Sequence, residues 1–268
     1  MRRCVTMAAL AALALFAAGA RAQDNAAAEI EKYRQALADG NPADLWEARG
    51  EGLWNEARGA RKVSLAKCDL GLGPGVVKGA YASLPRYFAD AGRVQDLESR
   101  LVWCMTTQQG ISEADASKVL FGGPGKRSDL EALAAYVVGQ SKGMPMNVSL
   151  SDPHMREMYA MGEKIFYYRG ATHDFACATC HAETGKRIRL QDLPDLATKD
   201  GARKAYTTWP AYRVSQGELR TMQWRLNDCF RQQRFPDLVY GSPVSIALTT
   251  YLAYNANGAL YDGPGLKR

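Results

Sequence analysis

The chain has 268 residues, 47% of them hydrophobic and 23% charged, which are the proportions of a soluble globular protein with one large domain or two small ones. Its formal net charge of +6 at pH 7 is modest. Because Lys and Arg are interleaved with Asp and Glu along the chain, this charge gives no reason to expect a nucleic-acid partner.

The first 22 residues are predicted to form a secretory signal peptide. The opening "MRR" is positively charged, an apolar run follows, and residues 20–22 have the small-x-small pattern of a cleavage site. The apolar run is short for a membrane span, and no later stretch approaches one. We therefore expect a mature chain that starts at Gln23 and is exported to the periplasm; an uncut N-terminal anchor is the alternative.

Helical patterns bounded by capping residues, Gly or Pro occur through the rest of the chain. No series of strand patterns appears between them. The sequence therefore predicts an all-α fold, with helices at residues 24–38, 43–57, 129–141, 153–168, 217–233 and 243–255.

The segment "CATCH", residues 177–181, is the C-x-x-C-H signature of covalently attached haem c. The thiols of Cys177 and Cys180 can reach the two vinyl groups on one edge of a porphyrin, and the imidazole of His181 can then bind the iron. A thioredoxin-like redox motif would need a preceding strand, and a zinc site would need a second pair of ligands. Neither is evident, so one covalent haem is predicted.

Four collinear pairs of similar segments form an internal repeat. "GEGLW" resembles "GEKIF", "AYASLPRY" resembles "AYTTWPAY", "RLVWCMTTQ" resembles "RLNDCFRQQ", and "LAAYVVGQSKG" resembles "LTTYLAYNANG". The second and third pairs share one offset of 125 residues. The repeat predicts two tandem cytochrome c-like domains, at residues 23–147 and 148–268.

The first domain lacks most of the haem motif. The "GEGLW" and "GEKIF" segments are 112 residues apart, and on that offset Cys68 aligns with the second cysteine of "CATCH". Leu65 and Asp69 then occupy the positions of the first cysteine and of the histidine. One haem thiol and the proximal ligand are missing, so the first domain is predicted to hold no haem.

The two cysteines of the first domain need another role. Cys104 corresponds to Cys229 of the second domain, so Cys68 and Cys104 would face the same haem-free cavity and can close a disulfide. A loop of this length contributes about 3–4 kcal/mol in the chain-entropy model. Two free buried thiols are the alternative.

Removal of the signal peptide leaves five cysteines, an odd number that requires an explanation in an oxidising compartment. Cys229 is the one without a partner. It follows His181 by 48 residues, a normal interval for the second axial ligand of a small cytochrome domain, and iron coordination would explain it. Met222 is the alternative ligand.

Arg225 precedes Cys229 by four residues, which puts both on one face of a helix. Its guanidinium would favour the thiolate form of Cys229 and could bind an oxyanion through paired N–H donors. Because Arg100 precedes Cys104 at the same spacing, a shared feature of the fold is the alternative explanation.

Together these segments resemble the SoxA subunit family of the SoxAX cytochromes of bacterial thiosulfate oxidation. The resemblance rests on "CDLGLGPGVVKGAYASLPRYFAD", "RVQDLESRLVWCM", "FACATCH" and "RLNDCFRQQRFP", and it runs from about Gly50 to Asn257. It implies a fold of two cytochrome c domains and a small haem-bearing partner, SoxX. The departures at Leu65 and Asp69 resemble the single-haem members, with Cys68–Cys104 as a disulfide.

The resemblance also implies a function, that of an L-cysteine S-thiosulfotransferase. In that reaction, thiosulfate is joined oxidatively to a cysteine of the carrier protein SoxYZ and two electrons leave through haem. The resemblance implies that Cys229 carries a persulfide and ligates the iron together with His181, and that Arg225 binds the substrate. A pure electron-transfer cytochrome without transferase chemistry is the alternative, for which Met222 would be the expected ligand.

Overall fold

Capping residues begin the long helices in the computed structural model, which describes residues 32, 40–117, 128–170, 172–188 and 191–267. The side chains of Ser128, Asp152 and Ser242 each accept a hydrogen bond from a backbone N–H in the first turn of a helix. Pro153 and Pro243 occupy first helical positions, where a missing N–H costs nothing. The helix starts are therefore encoded locally.

Within these ranges the chain forms nine α-helices, one short 3-10 turn (Tyr81–Ser83) and seven short strands. The helices are α1 (Ala43–Asn55), α2 (Leu97–Thr107), α3 (Glu113–Ala116), α4 (Asp129–Gly139), α5 (Pro153–Tyr167), α6 (Cys177–His181), α7 (Lys199–Tyr206), α8 (Met222–Gln232) and α9 (Pro243–Asn255). The strands are β1 (Arg86–Phe88), β2 (Arg93–Gln95), β3 (Arg187–Ile188), β4 (Gln191–Asp192), β5 (Ala211–Arg213), β6 (Glu218–Arg220) and β7 (Gly265–Lys267). None of the described helices is long and apolar enough to cross a membrane.

The strands correct the all-α prediction, because they form three small sheets. β1 pairs with β2 and β3 with β4, both antiparallel, while β5 lies between antiparallel β6 and parallel β7. Each strand has only two or three residues, which is too short to produce a recognisable alternating pattern. Helices nevertheless contain far more of the described residues than strands do.

Four predicted helices, at 43–57, 129–141, 153–168 and 243–255, are confirmed with ends within two residues. The helix predicted at 217–233 begins only at Met222. Gly217 has a φ of 67° in the turn between β5 and β6, and the Thr221 side chain caps α8 by accepting a hydrogen bond from the Trp224 N–H. Helices α2, α3, α6 and α7 were not predicted. The signal peptide and, apart from Lys32, the helix predicted at 24–38 lie outside the described residues.

The sequence repeat is also a structural repeat. The unit β1–β2–α2 has the same element boundaries as β5–β6–α8, each shifted by 125 residues. The strand registers match as well, because Phe88 is paired with Arg93 and Arg213 with Glu218. The two halves therefore offer a position-by-position comparison of the surroundings of Cys104 and Cys229.

Two glycines allow close crossings of the paired long helices. A Cβ on Gly50 would collide with the carbonyl oxygen of Ala132 and lie 2.8 Å from the Cβ of Tyr136, where α1 crosses α4. A Cβ on Gly162 would meet Ala247 and Tyr251 in the same way, where α5 crosses α9. Each half thus contains the same tightly crossed helix pair, and the first segment of the repeat marks the crossing point.

The described residues from Pro42 onward form one compact unit, in which α2 and α8 meet at their N-terminal ends. The backbone N–H of Gln223 donates to Oε1 of Glu98 over 3.3 Å, and its side-chain amide donates to Oδ2 of Asp96 over 2.5 Å. Tyr81 donates through its hydroxyl to the carbonyl of Trp209 over 3.0 Å. The first half therefore anchors the start of the helix that carries Cys229.

Candidate active site

The "CATCH" segment forms α6, a helix of little more than one turn. The thiols of Cys177 and Cys180 are partly buried and form no disulfide. Because the two residues are three apart on one helical turn, they lie on the same face. Burial raises the pKa of Cys177 to about 12, and the negative charge of a Cys229 thiolate would act in the same direction.

His181 is oriented by the backbone carbonyl of Pro194, which lies 2.9 Å from its Nδ1. A carbonyl can only accept a hydrogen bond, so Nδ1 carries the proton and the lone pair of Nε2 is free for a metal. Burial lowers the pKa of His181 below its usual value, and the positive charge of Arg225 acts in the same direction. The imidazole is therefore held in the neutral form that can ligate iron.

Cys229, in the last third of α8, lies close to the same cluster. Its electrostatic neighbours include Cys180, Arg225 and Asp228. Burial raises the pKa of Cys229, while Arg225 opposes that rise. The guanidinium thus acts on the thiol in the predicted direction, but burial outweighs it.

Arg225 lies one turn before Cys229, and its side chain is about a third exposed. Its Nη1 donates to Oδ2 of Asp228 over 3.1 Å. Asp228 is buried and also accepts from Arg231 over 2.6 Å. Arg225 is therefore fixed by one carboxylate while part of its surface remains accessible.

Met222, the alternative iron ligand, lies elsewhere. It is buried at the start of α8 and lines a small cavity between the halves, together with Tyr81 and Leu97. Leu97 is its counterpart in the repeat, so Met222 occupies a packing position common to both halves.

These residues fit a covalently bound haem c. Cys177 and Cys180 would hold its vinyl groups, and the donor set of His181 Nε2 and the Cys229 sulfur matches the ligands that haem iron accepts. The sequence predicted that these residues act together with Arg225, and the structure brings all five into one region. The sequence did not point to Pro194 or Asp228, since neither a backbone carbonyl nor an acid between two arginines forms a recognisable motif.

The corresponding site of the first half is closed. Cys68 and Cys104 form the predicted disulfide, with 5.7 Å between their Cα atoms, and both are fully buried beside Leu65. Asp69, at the position of His181, accepts hydrogen bonds from the backbone N–H groups of Gly71 and Gly73. Among the described residues aligned with the "CATCH" motif, Leu65, Cys68 and Asp69, none offers a free thiol or an imidazole.

Comparisons with known proteins agree with this architecture. A family model described as the SoxA/TsdA cytochrome c domain matches residues 49–146 and 161–260, one match in each half. The L-cysteine S-thiosulfotransferase subunit SoxA of Hydrogenophilus thermoluteolus is 51% identical over 89% of this chain and 87% of the relative. A protein of the same description from Hydrogenobacter thermophilus is 34% identical over 92% of this chain and 91% of its own length.

A similar fold has been solved. The crystal structure of SoxXA from P. pantotrophus contains a chain that superposes with a TM-score of 0.72 at 26% sequence identity. The superposition covers 88% of this chain and 84% of that one, and so includes both halves.

Proposed function

The chain belongs to the SoxA/TsdA cytochrome c family, and we propose from this membership that it is the cytochrome subunit of an L-cysteine S-thiosulfotransferase. The resemblance noted in the sequence is thereby confirmed. In the proposed reaction, thiosulfate is joined to a cysteine of a sulfur carrier protein of the SoxYZ type.

The observation that carries this proposal is the position of Cys229 and Arg225 beside the "CATCH" site. Arg225 has an accessible guanidinium whose donors suit the sulfonate end of thiosulfate, and the sulfur of Cys229 lies one helical turn further on. We propose that the reacting sulfur is the outer atom of a persulfide on Cys229. Arg225 then orients a dianion against this sulfur.

The chemistry balances as two steps. Bonding thiosulfate to the sulfur on Cys229 forms one S–S bond and releases two electrons. The carrier thiolate then attacks the bound thiosulfate sulfur, so that the carrier leaves with an S–S–sulfonate group and the sulfur on Cys229 leaves as an anion. A bound haem would accept the two electrons one at a time and pass each to the haem of the proposed partner SoxX.

We propose one covalent haem, attached to Cys177 and Cys180 in the domain at residues 148–268 and ligated by His181 and Cys229. The domain at residues 23–147 is proposed to hold none. The disulfide and the hydrogen-bonded Asp69 support this assignment, since they use the groups that would otherwise hold a porphyrin.

SoxX is the proposed partner subunit, by analogy with the SoxXA structure, and the chain is proposed to act in the periplasm after removal of residues 1–22. Both the predicted signal peptide and the disulfide favour an oxidising compartment. N-terminal sequencing that begins at Gln23 would support cleavage and export.

A pure electron carrier is the alternative function. It would require Met222 near the iron, but Met222 packs between the halves whereas Cys229 lies beside Cys177 and Cys180. Paramagnetic resonance of the oxidised protein separates the two ligand sets, and a spectrum typical of His/Met iron would contradict our proposal.

The decisive experiment uses Cys229→Ala in the haem-loaded complex with SoxX. We expect thiosulfate-dependent electron release and addition of thiosulfate to the carrier to be lost, because the sulfur that accepts the substrate is gone. The haem should remain attached through its thioethers. Stopped-flow reduction and intact mass of the carrier measure the two products.

The control is Arg156→Gln on α5, whose exposed side chain donates to the backbone carbonyls of Leu150 and Ser151. It should keep its activity within about threefold of the unmodified protein, as surface substitutions do. Full turnover in Cys229→Ala would overturn the proposed function.

A further inference from the structure

The first half contains a fully neutralised arginine at the position that corresponds to Arg225. Arg100, the counterpart of Arg225, is 1% exposed and donates two hydrogen bonds to Asp90, at 2.9 and 2.8 Å. It donates a third to Gln95 over 3.2 Å, and its Nε donates to the backbone carbonyl of Asp69 over 2.6 Å. Its guanidinium carbon lies 3.9 Å from the ring centre of Phe88 and 4.2 Å from that of Trp103. Four of its five N–H groups are thus used inside the protein, and its burial leaves no accessible donor for a ligand.

The second half exchanges these partners one by one. On the 125-residue offset, Ser215 takes the position of the carboxylate, Arg213 that of the phenyl ring, and Asp228 that of the indole. Arg225 therefore loses a bidentate acid and gains a second guanidinium nearby. The same scaffold that buries one arginine in the first half brings two arginines together in the second.

Asp228 accepts too many other hydrogen bonds to neutralise both Arg213 and Arg225. Its Oδ2 accepts from Arg225 over 3.1 Å and from Gln232 over 2.7 Å, while its Oδ1 accepts from Arg231 over 2.6 Å. The carboxylate of Asp228 thus accepts hydrogen bonds from two arginines and an amide, and Arg213 adds a third guanidinium to the region. The region keeps an excess of positive charge, which suits a doubly charged anion.

Arg213 is partly buried at the end of β5. Its buried Nε has no hydrogen-bond acceptor among the described residues. Its cross-strand neighbour Glu218 does not satisfy this donor, and Oε2 of Glu218 is likewise buried without a hydrogen bond among the described residues. Burial and the charge of Arg225 both lower the pKa of Arg213, whereas the negative charges of Asp228 and of a Cys229 thiolate raise it, so these groups share one electrostatic environment.

We propose that Arg213 is a second substrate-binding residue, which together with Arg225 holds the sulfonate end of thiosulfate beside the sulfur of Cys229. This inference rests on the proposed function and adds to it a residue that the "CATCH" and R-x-x-x-C motifs do not contain. Two planar guanidiniums can offer paired N–H donors to different sulfonate oxygens, which gives the anion a fixed orientation as well as charge neutralisation.

The test is Arg213→Gln in the haem-loaded complex with SoxX, assayed with thiosulfate and the carrier protein. Loss of charge-assisted hydrogen bonds should raise the KM for thiosulfate about 10- to 100-fold. The KM for the carrier and the haem absorption spectrum should stay unchanged, because the residue binds the anion only. Arg213→Lys keeps the charge but not the planar guanidinium, so its KM for thiosulfate should lie between those of the unmodified protein and Arg213→Gln.

Arg156→Gln is the matched control, since it removes an equal charge from an exposed position on α5 and should change the KM for thiosulfate less than about threefold. Rates are expressed per haem, which corrects for any poorly loaded variant. An unchanged thiosulfate KM in Arg213→Gln would overturn the inference, and so would an altered haem potential with unchanged KM, which would assign Arg213 to a haem propionate. If the unmodified complex shows no thiosulfate-dependent turnover, the proposed function fails instead.

Discussion

Glu98 is a single carboxyl buried where the two halves meet. It accepts a hydrogen bond from the backbone N–H of Gln223 and lies close to Asp96. Burial, reinforced by the negative charge of Asp96, raises the pKa of Glu98 to about 8. The folded protein therefore holds a proton that the unfolded chain, with an ordinary carboxyl pKa of about 4, has already released.

The sign of the pH dependence follows from this raised pKa. Between about pH 5 and pH 8 the folded state binds more protons than the unfolded state, so the free energy of unfolding falls as pH rises. We expect Glu98→Gln to remove the part of this slope that Glu98 contributes, while the buried Glu131, whose pKa is also raised to about 8, keeps its own part. Between pH 5 and pH 8 the unmodified protein should lose about 3 kcal/mol more than the variant, measured by urea unfolding.

Glu113→Gln, at the exposed start of α3, is the control and should keep the slope of the unmodified protein. Parallel pH profiles for the unmodified protein and Glu98→Gln would show that Glu98 is ionised in the folded state at neutral pH.

At the scale of elements, α1 contains two glycines with opposite roles. Gly50 faces Ala132 and Tyr136 at the crossing with α4, whereas nothing lies within 4 Å of a Cβ placed on Gly52. Both glycines lie inside the same predicted helix, and the sequence gives no sign that their roles differ. Only Gly50 lies against the neighbouring helix α4.

We expect Gly50→Ala to lower the free energy of unfolding by about 1–3 kcal/mol, because the new methyl group forces α1 away from a backbone carbonyl. Gly52→Ala, two residues away, should raise it by up to about 1 kcal/mol through helix propensity alone. Thermal and urea unfolding measure both. Equal effects of the two substitutions would contradict the close crossing.

Helix boundaries were predictable where a side chain encodes them. Ser128, Asp152 and Ser242 cap their own helices, and the predicted starts at 129, 153 and 243 are correct. The start of α8 was missed because residues 218–220 pair with β5, and that pairing depends on a hairpin rather than on local preference. Strands of two or three residues exist only through such contacts.

At the scale of the whole molecule, the two halves repeat the same elements but are expected to be cross-linked by different covalent bonds. The disulfide ties α2 to the loop that replaces the haem motif of the first half, across 36 residues of sequence. The second half is expected to use thioether bonds to haem for the same purpose. The disulfide should therefore affect stability without affecting catalysis.

Replacing both Cys68 and Cys104 by Ser should lower the free energy of unfolding by about 3–4 kcal/mol, since the unfolded chain regains the entropy of that loop. Haem content and turnover per haem should not change. Urea unfolding of the haem-loaded protein checks this, and reduction of the unmodified protein by a dithiol should reproduce the effect because thioethers are not reduced. A loss below about 1 kcal/mol would contradict this role.

The sequence by itself determined the haem motif and the repeat, because each follows from residue identity at a fixed spacing, and it predicted the pairing of Cys68 with Cys104 with two free thiols as the alternative. It also indicated Cys229 and Arg225, whose separation of four residues places them on one helical face whatever the rest of the fold. It could not determine how fully each arginine is neutralised by its neighbours. That depends on whether a carboxylate, a ring or a second guanidinium is brought against each one by a distant strand, and only the tertiary structure decides that Arg100 is neutralised while Arg213 and Arg225 face the same site.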